Sequence, residues 1–390
     1  MPYRWTILCV LFGARLTMAF QFQSAAALSP FLADAYGASL SEIGLLIGLY
    51  LAPGVVVALP GGAIAARLGD VRVVTTSLGL MLVGGLLATL TPGWEAAMAG
   101  RVLAGIGGVI VNIVMTKMLV DWFAGKEIST ALAIFINSWP VGIALALLVL
   151  PPVAEGAGLA AARWATLGLI AAGLLAFVAL YRPAPQASAP AAALAARPFP
   201  VAALTLAALI WAIYNAALAM VFSFGAAALA GQGWAIPTAS ATISAFMIAF
   251  SLAVPFGGVL ADRSGRRDAV IFWSVASYAV LLPLVLAVPA AVAPALLVVT
   301  AILFSLAAGP IMALPATVLA PEARAFGMGV FFTIYYVVMM AAPALAGGVA
   351  ERTGDAGIVF ALGSGMAAIC VLALALFRRT RSRSPQGAAP

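Results

Sequence analysis

Two arginines, Arg15 and Arg101, lie inside long apolar runs of the sequence. A charge within a lipid bilayer is unfavourable unless it is paired, and intramembrane charges usually have a function. At a rise of about 1.5 Å per residue, Arg15 lies near the middle of its predicted helix, and Arg101 lies roughly 10 Å closer to one membrane face. The planar fork of arginine holds carboxylate or phosphate through two hydrogen bonds. Two long side chains at these depths could therefore reach one anionic ligand.

The carboxylates of the chain do not offer these arginines a partner. All twelve map to loops or helix ends, and histidine is absent, so no side chain that titrates near neutral pH is predicted in mid-membrane. Glu42, at the start of the second predicted helix, is the nearest candidate for proton coupling, although a solvated acid at a helix start is the simpler interpretation. An anionic substrate is therefore the natural counter-ion.

Structural roles compete with this interpretation. Arg15 could pair with backbone carbonyls or glutamine side chains, and Arg101 could bond helix-end or loop carbonyls. Lys117, near the inner end of its helix, is expected to extend to the membrane interface.

Neutral polar residues occur at similar depth on several predicted helices. Asn112 follows Arg101 by eleven residues, about three helical turns, so both face the same way. Any one polar residue could equally form an interhelical hydrogen bond, worth about 0.6 kcal/mol. Trp211 is the counterpart of Arg15 under an internal offset of 196 residues. The predicted substrate-binding set is Arg15, Arg101, Gln21, Asn112, Asn137, Trp211, Tyr214, Asn215 and Tyr335, with Gln23, Ser305 and Tyr336 as further polar residues.

Long apolar segments must position these side chains. Hydrophobic residues make up 65% of the 390 residues and charged residues only 8%, whereas a soluble domain carries roughly 25% charged residues. The apolar runs continue for about 20 residues or more, which fits membrane-spanning helices and not the alternating strands of a barrel. We predict an all-α integral membrane protein with twelve transmembrane helices at 5–28, 41–65, 71–91, 95–119, 128–150, 161–181, 200–229, 236–261, 269–288, 292–316, 324–347 and 356–377.

Lysine and arginine are distributed unequally between the two sides of these helices. With the N-terminus inside, fifteen of them lie on the cytoplasmic side, and only Arg163 and Arg352 lie in outer loops. Positive charge is enriched in cytoplasmic loops, so both termini are predicted in the cytoplasm, at a bacterial-type inner membrane. The net charge of +7 does not indicate a nucleic-acid partner, because the charges are dispersed over loops.

A segment rich in proline and alanine divides the helices six and six. It is bounded by Arg182 and Arg197 and predicts a flexible connector. The predicted organisation is an N-terminal six-helix bundle at 1–181, a cytoplasmic linker at 182–199, a C-terminal bundle at 200–377 and a cytoplasmic tail at 378–390.

The two halves carry a sequence repeat. GGAIAARLGDVR at 61–72 recurs as GGVLADRSGRRD at 257–268, an offset of 196 residues. Each copy follows the second predicted helix of its half. Two parallel six-helix repeats are typical of transporters that rock around a site near mid-membrane.

The second copy resembles the signature loop of the major facilitator superfamily, Gly-x-Leu-Ala-Asp-Arg-x-Gly-Arg-Arg. The run from Arg101 to Gly107 resembles the fourth-helix pattern of that family, Arg-x-x-x-Gly-x-Gly. The resemblance implies two pseudo-symmetric six-helix bundles, alternating access and a cavity lined by helices 1, 4, 7 and 10. It also implies a cytoplasmic gate formed by Gly258, Asp262, Arg263, Gly265, Arg266 and Arg267.

In the family, this loop meets the start of a helix from the other half, here near Ile128 and Ser129. A carboxylate at a helix N-terminus is favoured by about 0.3–1 kcal/mol. The first copy of the loop departs from the pattern, because Ala66 stands at the aspartate position. The two gates are therefore expected to be unequal.

Several prolines fall within predicted helices and are expected to bend them. They are Pro140, Pro310, Pro315 and Pro343. In a rocking carrier such bends can act as gates, although membrane helices also tolerate proline without a functional role.

These observations favour a carrier for a small organic or inorganic anion, working by exchange or facilitated diffusion. A proton-coupled exporter of drugs or metabolites is the alternative within the same family, and a transporter-fold sensor or lipid-handling protein is a third hypothesis. An enzyme is not indicated, since there is no nucleophile–base set, phosphate loop or metal cluster in the sequence. No cofactor is predicted. The expected partners are a small molecule and the lipid bilayer, with the protein acting as a monomer, and cyanate-type or organic-anion-type relatives remain possible.

Overall fold

The computed structural model describes residues 3–58, 68–91, 93–123, 128–184, 200–319 and 324–382, and these residues contain helices and no strand. The predicted all-α class is therefore confirmed. The helices are α1 (Tyr3–Ala27), α2 (Ser29–Tyr36), α3 (Leu40–Leu49), α4 (Gly54–Val57), α5 (Asp70–Leu90), α6 (Trp94–Phe123), α7 (Ile128–Ile136), α8 (Ser138–Leu180), α9 (Val201–Ala230), α10 (Ile236–Ser264), α11 (Arg267–Leu284), α12 (Ala293–Ser305), α13 (Ala308–Met312), α14 (Arg324–Thr353) and α15 (Ile358–Ser382).

The described residues contain eleven helical stretches that are long and apolar enough to cross a membrane. The longest, 134–180, has 47 residues, whereas one crossing needs about 20. Its backbone breaks at Gly158, where φ is +83°, a value that glycine adopts readily. This stretch therefore makes two crossings, which gives the predicted total of twelve. The connection predicted at 151–160 is shorter than expected, because helical backbone continues through Pro151 and Pro152.

Three predicted helices are interrupted close to a proline. Because proline clashes with the carbonyl four residues earlier and lacks an N–H, α3 ends at Leu49 ahead of Pro53, and α7 ends at Ile136 ahead of Pro140. Likewise α12 ends at Ser305 ahead of Pro310. The helices predicted at 41–65, 128–150 and 292–316 are therefore interrupted at these points, two of them at the bends expected from Pro140 and Pro310. Residues 59–65 lie outside the described part.

The other predicted bends differ in outcome. Pro343 lies inside the unbroken α14. Pro315 begins a short 3-10 helix, Pro315–Thr317.

The repeat extends beyond the motif that revealed it. Positive φ values occur at Gly37 and Gly233, at Gly69 and Gly265, and at Gly158 and Gly354. The members of each pair are 196 residues apart in the chain. Both halves, residues 3–184 and 200–382, therefore turn their backbones at equivalent places, as the predicted pseudo-symmetry requires.

The bundle has two distinguishable ends. At one end Tyr3 Oη donates a hydrogen bond to Leu180 O at 2.7 Å; we call it the terminal end. The opposite end carries the connections at 37–39, 231–235 and 354–357, and we call it the distal end. The predicted linker and the first copy of the repeat fall largely on residues 185–199 and 59–67, outside the described part.

The two halves meet closely toward the distal end. Helix α3 approaches α14 so closely that a Cβ atom at Gly48 would overlap Met340 O. At the equivalent pair of α10 and α8, Ser244 Oγ donates to Ala144 O at 2.8 Å. Small residues let membrane helices pack at short distance. These two contacts, related by the 196-residue offset, close the space between the halves on this side.

Candidate functional site

A cavity of about 160 Å³ lies between the two halves. Residues from both halves line it, and seven of the nine predicted substrate-binding residues are among them. Those seven are Arg15, Asn112, Asn137, Trp211, Tyr214, Asn215 and Tyr335.

The break between α7 and α8 holds Arg15 in place. Pro140 has no N–H to donate to Ile136 O, so that carbonyl needs another donor. Arg15 Nη1 lies 3.1 Å from both Ile136 O and Phe135 O, and 2.8 Å from Ser138 Oγ. The guanidinium also lies 4.9 Å from the centroid of the Phe135 ring. A proline in one helix thus creates the carbonyl site that orients a cation from another.

The outer edge of the Arg15 guanidinium is available to a ligand. Arg15 Nε donates to Asn112 Oδ1 at 2.9 Å, while Nη2 makes no hydrogen bond to any described residue. Arg15 as a residue is 9% exposed and lines the cavity. Arginine carries five N–H donors and no acceptor, so its remaining donors can only bind an acceptor.

Two further polar groups of the cavity have hydrogen-bond donors without protein acceptors. Asn137 Oδ1 accepts from Ser251 Oγ at 3.0 Å across the two halves, and its Nδ2 has no partner among the described residues. Trp211 Nε1 is buried and likewise has no partner there. Asn215 differs, because it offers the cavity an acceptor. Its Nδ2 donates to Trp211 O at 2.8 Å, and its Oδ1 has no donor among the described residues.

Aromatic rings form much of the cavity surface contributed by the C-terminal half. The Trp211 ring stacks on Tyr214 with centroids 6.0 Å apart and lies 6.4 Å from Tyr335. Tyr214 Oη donates a hydrogen bond to Phe304 O at 3.0 Å. The other aromatic lining residues of this half are Phe222, Phe250, Phe332 and Tyr336.

Arg101 and Gln21 lie at a second, smaller cavity of about 80 Å³ within the N-terminal half. Arg101 donates to three backbone carbonyls, Leu46 O at 3.1 Å and Gln21 O and Phe22 O at 2.7 Å each. Its guanidinium lies 4.8 Å from the centroid of the Tyr50 ring. The structure therefore does not bring the two buried arginines to one cavity, and Arg101 ties together the first, second and fourth membrane crossings.

Gln23 and Ser305 bond elsewhere in the bundle. Gln23 Nε2 donates to Phe222 O across the halves, while its buried Oε1 has no partner among the described residues, and Ser305 Oγ donates to Ile302 O at 2.8 Å. Neither residue lines the cavity between the halves.

The acids near the membrane crossings are engaged elsewhere. Among the described lining residues of the cavity between the halves, none is a carboxylate. Glu42 forms a capping box with Ser39, accepting from Ser39 N at 2.8 Å. Lys117, predicted to extend to the interface, pairs with Asp70 at 2.6 Å and with Asp121 at 3.1 Å.

The predicted gate residues lie at the terminal end, where α10 leads into α11. Gly265 caps α10 with φ +62°, a left-handed conformation that explains glycine in the motif. Asp262, Arg263 and Arg266 are exposed, and Asp262 has no hydrogen bond or ion pair with any described residue. The side chains of Ile128 and Ser129, its expected contacts, lie outside the described part.

Sequence reasoning missed the apolar part of the site. Met18, Trp139, Phe222, Phe250 and Phe332 line the cavity, but in an apolar membrane helix such residues do not differ from those that face lipid. A helix period would have found Met18, which lies one turn after Arg15 on the same face.

A bundle of membrane-crossing helices with an internal repeat and a cavity between its halves defines a membrane transporter. The sequence matches the model of the Major Facilitator Superfamily over residues 10–230 and 200–390, so the chain belongs to that superfamily. No curated protein matches the sequence.

Solved structures share the fold at low sequence identity. One is a bacterial homologue of the human lysosomal transporter Spinster in an inward-facing and occupied conformation, with a TM-score of 0.78, 16% identity and coverage of 100% of this chain and 99% of that chain. Another is the nucleoside transporter NupG, with a TM-score of 0.75, 16% identity and coverage of 97% and 100%. These likenesses concern the fold alone.

Proposed function

We propose that this protein is a secondary active or facilitative transporter that moves a small anion by alternating access, with Arg15 as the counter-ion of the substrate. The observation that carries the proposal is the unused Nη2 edge of Arg15 in a cavity whose described lining has no carboxylate. A buried charge without a partner is strongly unfavourable, so an anion is the ligand that completes this site.

The donors around Arg15 support the same conclusion. The oxygens of Asn112 and Asn137 are already bonded within the protein. Asn137 Nδ2 and Trp211 Nε1 therefore add donors to the cavity, and a ligand rich in acceptors satisfies them. Asn137 also accepts a hydrogen bond from Ser251 of the other half. A ligand that contacts Asn137 therefore touches a residue that links the two halves.

Orientation and assembly complete the proposal. The terminal end faces the cytoplasm of a bacterial-type inner membrane, since it carries the excess of lysine and arginine. The cavity uses residues of one chain, so a monomer suffices for transport. At the terminal end, the loop of Asp262, Arg263, Gly265, Arg266 and Arg267 serves as the gate.

A proton-coupled exporter of hydrophobic drugs is the competing function, favoured by the aromatic lining. It requires a titratable group that changes partners during transport, and the described lining of the cavity offers no carboxylate for this.

The test is a thermal-shift screen of the purified protein against acetate, benzoate, nitrate, phosphate and a hydrophobic ammonium drug. A ligand that binds the folded state raises its stability by mass action. We expect an anion to raise the Tm, and Arg15→Ala to weaken binding about 10- to 100-fold, the value of a charge-assisted hydrogen bond of roughly 1.5–3 kcal/mol.

The matched control is Arg352→Ala, which removes an exposed arginine at the end of α14. If Arg15→Ala does not fold, Arg15→Lys keeps the charge without the fork and still has to weaken anion binding. Stabilisation by the ammonium drug alone, unchanged in both Arg15 variants, would contradict the proposal and favour the exporter.

A further inference from the structure

The two sides of the cavity between the halves differ in chemistry. The N-terminal half contributes a polar wall of Arg15, Asn112 and Asn137, with Met18 and Trp139 beside it. The C-terminal half contributes an aromatic wall of Trp211, Phe250, Phe332 and Tyr335, with Asn215 beside it. The difference is sharpest at the pseudo-symmetric pair of Arg15 and Trp211, where one half has a cation and the other an indole.

The charge of the polar wall suits a single negative group. Among the described lining residues, Arg15 alone carries a guanidinium, and three of its contacts hold Nη1 against carbonyl and hydroxyl oxygens. A second negative group on the ligand would have to lie against aromatic rings, whose faces are themselves negative. The site therefore matches one carboxylate or a comparable monoanion.

The aromatic wall suits a flat apolar body. The ring centroids of Tyr214 and Tyr335 lie 6.0 Å and 6.4 Å from that of the Trp211 indole. Offset stacking of aromatic rings at about 4.5–7 Å adds about 0.5–1.5 kcal/mol beyond burial. Trp211 Nε1 has no acceptor among the described residues. A small hydrated inorganic ion would leave this wall without contacts, whereas an aromatic carboxylate would cover it.

We propose, on the basis of the anion-carrier function above, that the substrate is an organic monocarboxylate with an aromatic or similarly flat apolar body, its carboxylate at Arg15 and its body against the Trp211 wall. The Trp211 N–H then donates to an acceptor on that body or to the second carboxylate oxygen. The cavity of about 160 Å³ leaves room for a ligand of this size and not only for an ion.

The experiment compares ligands that differ in one property. The affinities of benzoate, phenylacetate, indole-3-acetate, acetate, phosphate, benzyl alcohol and benzylammonium are measured by calorimetry on the intact protein in detergent at one pH. At least one aryl carboxylate is expected to bind about tenfold or more tightly than acetate, phosphate and benzyl alcohol.

Two variants of Trp211 separate the contribution of its ring to binding from that of its N–H. Trp211→Ala is expected to weaken aryl-carboxylate binding about tenfold or more, and Trp211→Phe to weaken it less, because a ring remains. Trp164, which is 51% exposed on α8, provides the matched control: Trp164→Ala is expected to leave the affinity unchanged.

The outcomes distinguish this inference from the function on which it rests. If acetate or phosphate binds as tightly as every aryl carboxylate and Arg15→Ala abolishes that binding, the aromatic substrate is excluded and the anion carrier stands. If benzyl alcohol or benzylammonium binds as tightly and Arg15→Ala has no effect, both proposals fail. Absence of binding by every aryl carboxylate at millimolar concentration also overturns the inference.

Discussion

At the scale of single residues, the two buried arginines have different surroundings. Arg15 uses Nε and Nη1 within the protein and presents Nη2 to the cavity between the halves. Arg101 donates from all three nitrogens to backbone carbonyls. The same residue type, buried in both cases, therefore suits ligand binding at Arg15 and helix connection at Arg101.

Arg101→Ala is expected to destabilise the protein without changing its ligand affinity. Three buried carbonyls would lose their donor, which corresponds to about 2–5 kcal/mol. Thermal unfolding in detergent measures the loss, and ligand affinity is measured on the fraction that remains folded. A large loss of affinity in Arg101→Ala at unchanged Tm would instead assign Arg101 to the substrate site.

The sequence predicted how deep these residues lie in the membrane, but not which helices surround them. Arg101 and Asn112 do face the same way, but eleven residues separate them by roughly 16 Å along the helix axis. One helix face can therefore line two cavities, and Asn112 alone reaches the one between the halves. Which helix covers a given face depends on packing, and a single sequence does not contain that information.

At the scale of elements, broken helices position the site. The predicted positions of the crossings are close to those observed, because apolar length and charge are strong signals. The breaks at Leu49, Ile136 and Ser305 were less predictable. Proline indicates that a helix will be disturbed, but Pro343 leaves α14 intact, so the local packing decides the result.

Pro140→Ala is expected to weaken substrate binding about tenfold, comparable to the loss of one charge-assisted hydrogen bond. An N–H at position 140 would compete with Arg15 for Ile136 O, and the guanidinium would lose part of its anchor. Ligand affinity measured by calorimetry tests this. Pro255→Ala is the control, since Pro255 is exposed within α10, and an equal effect in both variants would contradict the role of the break.

Gly48→Val is expected to open the distal end. The added side chain cannot fit against Met340 O, and overpacking of this kind costs about 1–3 kcal/mol. The distance between spin labels at Asp34→Cys and Glu351→Cys, in a background of Cys9→Ser and Cys370→Ser, should increase. Gly79→Val, where nothing lies within 4 Å of an added Cβ, is the control, and an unchanged distance in Gly48→Val would exclude this contact as a gate.

At the scale of the whole molecule, the fold is built from two related halves that have diverged at the site. The repeat was visible in one sequence motif, and the paired glycines with positive φ extend it to three places per half. The divergence of Arg15 from Trp211 was also visible in the sequence. The walls that these residues form could not be predicted, because they depend on how the halves face each other.

Both termini are expected on the cytoplasmic side of the membrane. The charge asymmetry of fifteen against two predicts this orientation. A green fluorescent protein fused to the C-terminus should fluoresce in bacteria, and alkaline phosphatase fused there should be inactive. Active phosphatase at that position would reverse the orientation of the whole bundle.

The unlike walls of the cavity have a stereochemical consequence. A carboxylate held at Arg15 and a ring held against Trp211 fix two points of a bound molecule. The L-residues around those points then contact the remaining substituents of its two mirror images differently. This protein is therefore expected to discriminate between the mirror images of a 2-aryl carboxylic acid and to move one of them faster.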